Sequence, residues 1–139
     1  MDRQLKQRIF EAVKTEPFVR ALNIRLISLS EGQSTVEMDY RPELMDNIYQ
    51  RAHGGALFAL IDEAFETAAQ THGTIAVALN VNVTYIRPPV AGERLRATAR
   101  EISATRKTAT YDIRVANMDD DLIAVCQAVA YRTGRPVEL

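Results

Sequence analysis

The sequence contains few of the residues on which several common kinds of protein site depend. Cys126 is the only cysteine, which excludes an intramolecular disulfide and a cysteine-based zinc site. It lies in the apolar run 122–130, which predicts a buried packing role. The two histidines, His53 and His72, are 19 residues apart among scattered acids, a poor arrangement for a metal site. We therefore expect no metal site in this protein.

Long apolar runs and a strong charge of either sign are also missing. No stretch reaches the length of a membrane-spanning helix, and residues 1–10 lack the basic-then-apolar pattern of a secretory leader. The net charge is −1, without a basic face or an aromatic RNA-binding motif. We expect no nucleic-acid partner, no membrane partner and a cytoplasmic location. Also missing are a G-x-S-x-G elbow, a phosphate-binding glycine loop and a dinucleotide fingerprint.

The patterns that are present predict one domain of mixed helices and strands over residues 1–139. An N-terminal helix is expected within 1–17 and a long central helix over 53–72, closed by Gly73 at a C-terminal cap position. Six further segments alternate or are apolar as strands are: 24–29, 34–40, 75–87, 93–102, 107–117 and 122–132. The order predicts an α+β fold in which antiparallel strands curl around the one long helix.

Alternation within these segments predicts which side chains share a face. In the third strand segment one face is expected to carry Ile75, Val77, Leu79, Val81, Val83 and Tyr85. On the central helix, one polar stripe predicts the solvent face: Glu63, Glu66, Thr67 and Gln70. Asp62 lies roughly 90° from the centre of that stripe, one helical turn from Phe58, Ala59 and Phe65. The sequence therefore predicts a carboxylate at the boundary of the core.

Two features of the central helix suggest chemistry. Burial against aromatic rings, with Glu66 one turn away, should raise the pKa of Asp62 and make it a candidate general base or nucleophile. The alternative is a solvated carboxylate at the edge of a helix. Gly54 and Gly55 open the helix, where the first amides lack internal partners and can hold an oxyanion. A plain glycine-rich helix start is the alternative there.

The stretches HGGALFALIDEAF and NVTYIRPPVAGERLRATA, with Asn47 six residues before His53, resemble the hotdog-fold acyl-CoA thioesterases of the phenylacetate-degradation type. The resemblance runs from about residue 18 to residue 134. It implies a long central helix wrapped by a curved antiparallel sheet of about five to six strands. It also implies homodimers whose sheets join, which pair again into homotetramers, with active sites at the dimer interface.

The resemblance assigns roles to the matching positions. Asp62 would activate water or attack the thioester carbonyl. Across the dimer interface it would face the amide of Gly54, aided by that of Gly55, which would polarise the thioester oxygen. Asn47 would lie near the attacking water or the carbonyl. His53 would orient the loop or touch the thioester.

Coenzyme A is part of the expected substrate, so no separate cofactor is expected. In related enzymes its phosphates lie along the strand that ends in RP and the following hairpin, where cations bind phosphate. Ordinary surface charge on turns is the alternative. The positions assigned to substrate binding are Tyr85, Arg87, Pro88, Arg106, Lys107, Thr108 and Glu66. An apolar acyl pocket is expected near Leu57, Phe58, Ile61 and Phe65.

The resemblance implies hydrolysis of an acyl- or aryl-CoA to the free acid and coenzyme A. One departure bears on that prediction: relatives often carry a serine or threonine where this chain has Ala78 or Glu66. Water positioning must then differ, or the preferred substrate differs, or activity is weak. Two alternatives stay open. One is a hotdog hydratase or dehydratase, which normally requires a histidine paired with an acid. The other is a non-catalytic acyl-CoA-binding module.

Overall fold

The computed structural model describes all 139 residues, with six strands in one antiparallel sheet of order β1-β2-β4-β5-β6-β3. The strands are β1 (Arg25–Ser30), β2 (Gln33–Asp39), β3 (Thr74–Tyr85), β4 (Arg94–Ala104), β5 (Thr108–Asn117) and β6 (Leu122–Pro136). The helices are α1 (Arg3–Thr15), α2 (Pro17–Leu22), α3 (Pro42–Met45) and α4 (Gly54–Ala69), and a 3-10 turn covers Gln70–His72. None of these helices combines the length and the apolarity that crossing a lipid bilayer requires.

The central helix α4 packs against all six strands, so the sheet curls around it as predicted. Small side chains on the sheet allow the helix to approach closely. Six alanines of the sheet are at most 2% exposed: Ala97, Ala99, Ala109, Ala124, Ala128 and Ala130. The larger side chains come from the helix, where Phe65 meets the ring of Tyr111 edge-to-face with centroids 5.4 Å apart. The predicted hotdog architecture is confirmed.

Capping residues fix the ends of the helices. The side chain of Asp2 accepts hydrogen bonds from the amides of Gln4 and Leu5 at the start of α1. Pro17 begins a second helix, because proline suits the first helical position. The N-terminal helix expected within 1–17 is α1, and α2 is a second helix that the sequence did not predict. At the other end of the central helix, Gly73 has φ +73° and closes the 3-10 turn as predicted.

The predicted solvent stripe of α4 is wrong for two of its four members. Glu63 is 4% exposed and Thr67 is 3% exposed, whereas Glu66 is exposed. The Thr67 hydroxyl lies 2.7 Å from that of Ser34 on β2, so the sheet covers this side of the helix. The N-terminal helices cover the next part of it, since Glu16 lies beside Glu63. Helical periodicity shows which residues share a stripe, and tertiary packing decides which stripe is solvent-exposed.

The predicted alternation of β3 is also wrong in its first half. A bulge at Leu79 shifts the register against β6, so Ala78 pairs with Ala130 and Val81 pairs with Ala128. Val77 and Leu79 therefore do not share the face of Val81, and they are 50% and 60% exposed. Because β3 is an edge strand, the structure leaves one side of its backbone unpaired along with these apolar side chains.

Candidate active site

A tight loop directly precedes the start of α4. The Asn47 side-chain oxygen accepts hydrogen bonds from the amides of Tyr49 and Arg51, at 2.9 and 3.3 Å. The amide of His53 then donates to the carbonyl of Met45 at 2.7 Å. The oxygen of Asn47 is thus used within the loop, while its Nδ2 donors stay available. Asn47 shapes the approach to the helix.

The first peptide of the helix is held on both sides. His53 Nδ1 accepts a hydrogen bond from the Gly55 amide at 3.0 Å, which makes His53 the N-cap. On the opposite side, the Tyr85 hydroxyl donates to the Gly54 carbonyl at 3.0 Å. The Gly54 amide makes no hydrogen bond within the chain. The amide of Gly54 is therefore a free donor, whereas the amide of Gly55 is occupied by its hydrogen bond to His53.

A side chain at position 54 would crowd the ring of Tyr85. A Cβ there would lie 3.1 Å from Tyr85 Cζ and 3.2 Å from the Tyr85 hydroxyl oxygen. The resemblance assigns Tyr85 to substrate binding, and the structure gives it a contact with the helix start. No spacing in the sequence signals this contact, because residues 54 and 85 are separated by most of α4 and β3.

Asp62 lies on α4 two turns after the free amide. It is partly buried, and burial is the cause of its raised pKa; no hydrogen bond or ion pair contributes to the shift. The predicted boundary position is confirmed by this exposure. Its ionised form is poorly solvated within one chain, which makes the carboxylate a stronger base than an exposed aspartate.

Asp62 and Gly54 of one chain are too far apart to act on the same carbonyl. Eight residues separate them on one helix, which corresponds to about 12 Å along the helix axis. A base and an oxyanion donor must both lie about 3 Å from the reacting group. A site built from these two residues therefore needs a second copy of the chain.

Cys126 lies on β6 opposite Val83 and is buried, as predicted. Burial raises the pKa of its thiol to about 11, and the negative charge of Asp62 adds to that effect. The thiol is therefore protonated at neutral pH and has the properties of an inert packing group.

The candidate phosphate-binding residues lie at opposite ends of the sheet. Near one end, Arg87 donates from its backbone to Ile123 and its side chain lies 3.2 Å from Asp121. At the other end, Thr108 pairs with Tyr131, whose hydroxyl accepts a hydrogen bond from Lys107 at 3.2 Å. Pro88 and Arg106 are exposed in the connections beside these two groups. The two ends are eight positions apart on β6, or roughly 26 Å.

A histidine–acid pair is present, although sequence reasoning did not find it. His72 Nε2 lies 2.7 Å from Glu101 Oε2, which also accepts a hydrogen bond from Tyr111 at 2.9 Å. His72 is 18 residues after Gly54, or about 27 Å along the helix direction. Within one chain the pair is remote from the free amide and ties the end of the helix to the sheet.

Comparisons with known proteins show the family to which this chain belongs. The sequence model of the thioesterase superfamily matches residues 49–124, more than half of the chain. The acyl-coenzyme A thioesterase PaaI of Escherichia coli is 36% identical over 115 residues, which cover 83% of this chain and 81% of that protein.

Solved structures give the same result. The E. coli PaaI protein from the phenylacetic acid degradation operon superposes with a TM-score of 0.88 at 31% identity, over 96% of this chain and 99% of that one. A mutant of the phenylacetic acid degradation protein PaaI from Thermus thermophilus has a TM-score of 0.79 at 38% identity, over 84% and 99%. A Streptococcus mutans protein bound to acetyl CoA has a TM-score of 0.77 at 25% identity, over 83% and 92%.

The fold, the HGG helix start and the aspartate eight residues after Gly54 thus occur together in a chain that the superfamily model covers from the loop before α4 to β6. The resemblance found in the sequence is confirmed, and the chain belongs to the thioesterase superfamily, with PaaI proteins among its relatives.

Proposed function

We propose that this protein hydrolyses the thioester bond of an acyl- or aryl-CoA, giving the free acid and coenzyme A. One observation carries the proposal: a partly buried aspartate without a partner and a free helix-start amide lie on the same helix, in a member of the thioesterase superfamily. The E. coli relative is named an acyl-coenzyme A thioesterase, and a structural neighbour was solved with acetyl CoA bound. Both support the substrate class.

The reaction uses the Asp62 carboxylate as general base. It takes a proton from water as the water oxygen bonds to the thioester carbon, and negative charge moves to the carbonyl oxygen. The amide of Gly54 donates to that oxyanion, and its position at the positive end of α4 strengthens the interaction. The carbon–sulfur bond then breaks, and the proton on Asp62 passes to the leaving thiolate. Asn47 Nδ2 and the ring of His53 border the same loop and orient the water or the thioester.

The site is shared between two subunits of a homodimer. The unpaired edge of β3 and the exposed Val77 and Leu79 suit antiparallel pairing with a second copy of the same strand. The two α4 helices then run in opposite directions, and Asp62 of one subunit approaches Gly54 of the partner subunit. Pairing of two such dimers into a homotetramer, which the family resemblance implies, belongs to the same proposal.

Pairing at β3 would also bring together the candidate phosphate-binding residues, which lie far apart within one chain. Antiparallel strands bring the Arg87 end of one sheet beside the opposite end of the neighbouring sheet, where Arg106, Lys107 and Thr108 of the partner subunit lie. Charges from two subunits then converge on the phosphates of coenzyme A. Tyr85 and Pro88 line the path between the phosphates and the start of α4. Glu66 lies one helical turn after the base, Asp62. A cytoplasmic location belongs to the same proposal and suits a chain with a single cysteine.

The test is incubation of the purified protein with a panel of acyl- and aryl-CoA esters and a thiol reagent that reports free coenzyme A. We expect steady release of the thiol with at least one ester, and its loss in Asp62→Asn. Glu43→Gln, which neutralises an exposed acid on α3, is the matched control and should retain the rate. Binding of the esters without release would favour the acyl-CoA-binding module. Conversion of an enoyl-CoA without thiol release would favour a hydratase.

A further inference from the structure

Three carboxylates form a cluster on the side of α4 that faces the N-terminal helices. One oxygen from each of Glu16, Glu63 and Glu66 lies within 4.8 Å of the other two. Glu16 lies between α1 and α2, and the other two lie on α4. The sequence predicts no metal site from its cysteine and histidines, and it does not signal this cluster of carboxylates, because Glu16 precedes Glu63 by 47 residues.

The chain supplies no positive charge to this cluster. The side-chain ion pairs of the structure involve other acids, and none of these three carboxylates is among them. Three carboxylates at this spacing repel one another, and Asp62 on the same helix adds a fourth negative charge nearby. Either a cation or bound protons must offset this repulsion in the folded protein.

Glu63 is the member that makes the cluster unusual. The residue is 4% exposed, and its Oε1 is buried without a hydrogen-bond partner. Buried carboxylate oxygens are paired or coordinate metal in most proteins, because an unpartnered one loses its hydration without compensation. A buried carboxylate with an unpartnered oxygen, lying in a cluster with two further carboxylates, has the properties of a metal ligand.

We propose that Glu16, Glu63 and Glu66 bind a divalent metal ion, with calcium the best match among the hard cations. Calcium takes oxygen ligands at about 2.3–2.6 Å, so two ligands on opposite sides of the ion lie about 4.6–5.2 Å apart. The three carboxylate oxygens lie within 4.8 Å of one another, close enough for one calcium ion to contact all of them. Magnesium requires near-ideal octahedral geometry at about 2.0–2.1 Å and is usually bound by one or two carboxylates, whereas calcium accepts several carboxylates in flexible geometry. Water completes the coordination on the exposed side of Glu66.

The ion joins the N-terminal helices to the central helix. Glu16 is the residue between α1 and α2, so a metal bridge fixes both helices against the stripe of α4 that carries Glu63. Glu63 and Glu66 lie nine and twelve residues along α4 from Gly54. Glu66 also borders the proposed substrate path, but metal binding by the cluster depends on no assumption about the reaction. Failure of the thioesterase assay leaves this proposal standing, and the reverse also holds.

The experiment measures metal binding and thermal unfolding of the full chain after treatment with a chelator. Calcium chloride, manganese chloride and magnesium chloride are titrated separately by calorimetry. We expect one calcium ion per chain, with manganese and magnesium weaker. At 100 times the dissociation constant the midpoint of unfolding should rise by about 5–10 °C.

The variant Glu63→Gln keeps the shape of the side chain and should abolish the calcium-dependent rise. Glu11→Gln, an exposed acid on α1, is the matched control and should keep it. If Glu63→Gln does not fold, Glu66→Gln at the exposed end of the cluster should weaken calcium binding instead. A wild type that binds none of the three metals overturns the proposal, because protons would then neutralise the cluster. Calcium binding that is unchanged in the Glu63 and Glu66 variants overturns it as well.

Discussion

Asp62 and Glu63 are consecutive carboxylates on one helix, and the fold gives them opposite surroundings. The two side chains point about 100° apart. Asp62 is partly buried, whereas Glu63 is 4% exposed and lies beside Glu16, the residue between α1 and α2. Burial raises the pKa of both, that of Glu63 to about 8. A raised proton affinity serves catalysis only where a substrate can reach the group, and of these two carboxylates only Asp62 is partly exposed.

The largest expected difference between these two residues is in turnover. Asp62→Asn keeps the shape of the side chain and removes the base, so we expect the rate of thioester hydrolysis to fall by about 10²–10⁴. The fold should survive, because the carboxylate has no partner in the chain to lose. Steady-state kinetics with the best ester, together with thermal unfolding, measure both effects. A rate within about threefold of the wild type would remove Asp62 from the mechanism.

The second difference concerns stability and pH. The pKa of Glu63 is about 8 in the folded protein and near 4.5 when unfolded, so folding binds a proton there. When a chelator removes metal, the contribution of this proton to the free energy of unfolding is complete below pH 4.5. It is lost as the pH rises towards about 8, at roughly 1.4 kcal/mol per pH unit at most. Glu63→Gln should flatten this part of the profile, measured as the free energy of unfolding in urea. A profile that is equally steep in the variant would contradict the assignment.

The third prediction concerns Gly54, whose amide is the proposed oxyanion donor. Gly54→Ala places a methyl group 3.1 Å from the ring of Tyr85, so the helix start or the ring must shift. We expect the hydrolysis rate to fall roughly tenfold, because a donor displaced by tenths of an ångström holds the oxyanion less well. In a Tyr85→Leu background the same alanine should no longer disturb the helix. Equal rate losses in both backgrounds would exclude the contact as the cause.

The smallest effect is expected from the hydroxyl of Tyr85. Tyr85→Phe keeps the ring against Gly54 and removes one hydrogen bond to its carbonyl, which should cost about 0.5–1 kcal/mol of stability. Tyr49→Phe is the matched control, since Tyr49 is 77% exposed. The free energy of unfolding of the two variants in urea gives the comparison. A loss as large in the control would contradict a specific role for this bond.

The sequence allows most of the fold and the chemical part of the site to be predicted. Periodicity located the central helix and the six strands, and the HGG start with Asp62 indicated the superfamily. Prediction from the sequence failed where packing between distant segments decides which residues are buried. The burial of Glu63 depends on helices from the other end of the chain, and the bulge at Leu79 reverses an alternation that looks regular in sequence.

The contacts between distant segments could likewise not be predicted from the sequence. Tyr85 meets Gly54 only because β3 returns along α4, and His72 meets Glu101 only because β4 passes the end of that helix. No local pattern encodes either pairing. Residue types at a helix start can be predicted from sequence, and their partners across the sheet depend on the register of the strands.

The central claim is that each site takes its base from one subunit and its oxyanion donor from the other. The most direct test of this claim is to co-refold the Asp62→Asn and Gly54→Val variants, each of which should be inactive alone. Random association makes half of the dimers mixed, and each mixed dimer has one intact site of two, so we predict about one quarter of the wild-type rate. A mixture as inactive as its two components would contradict a site shared between subunits.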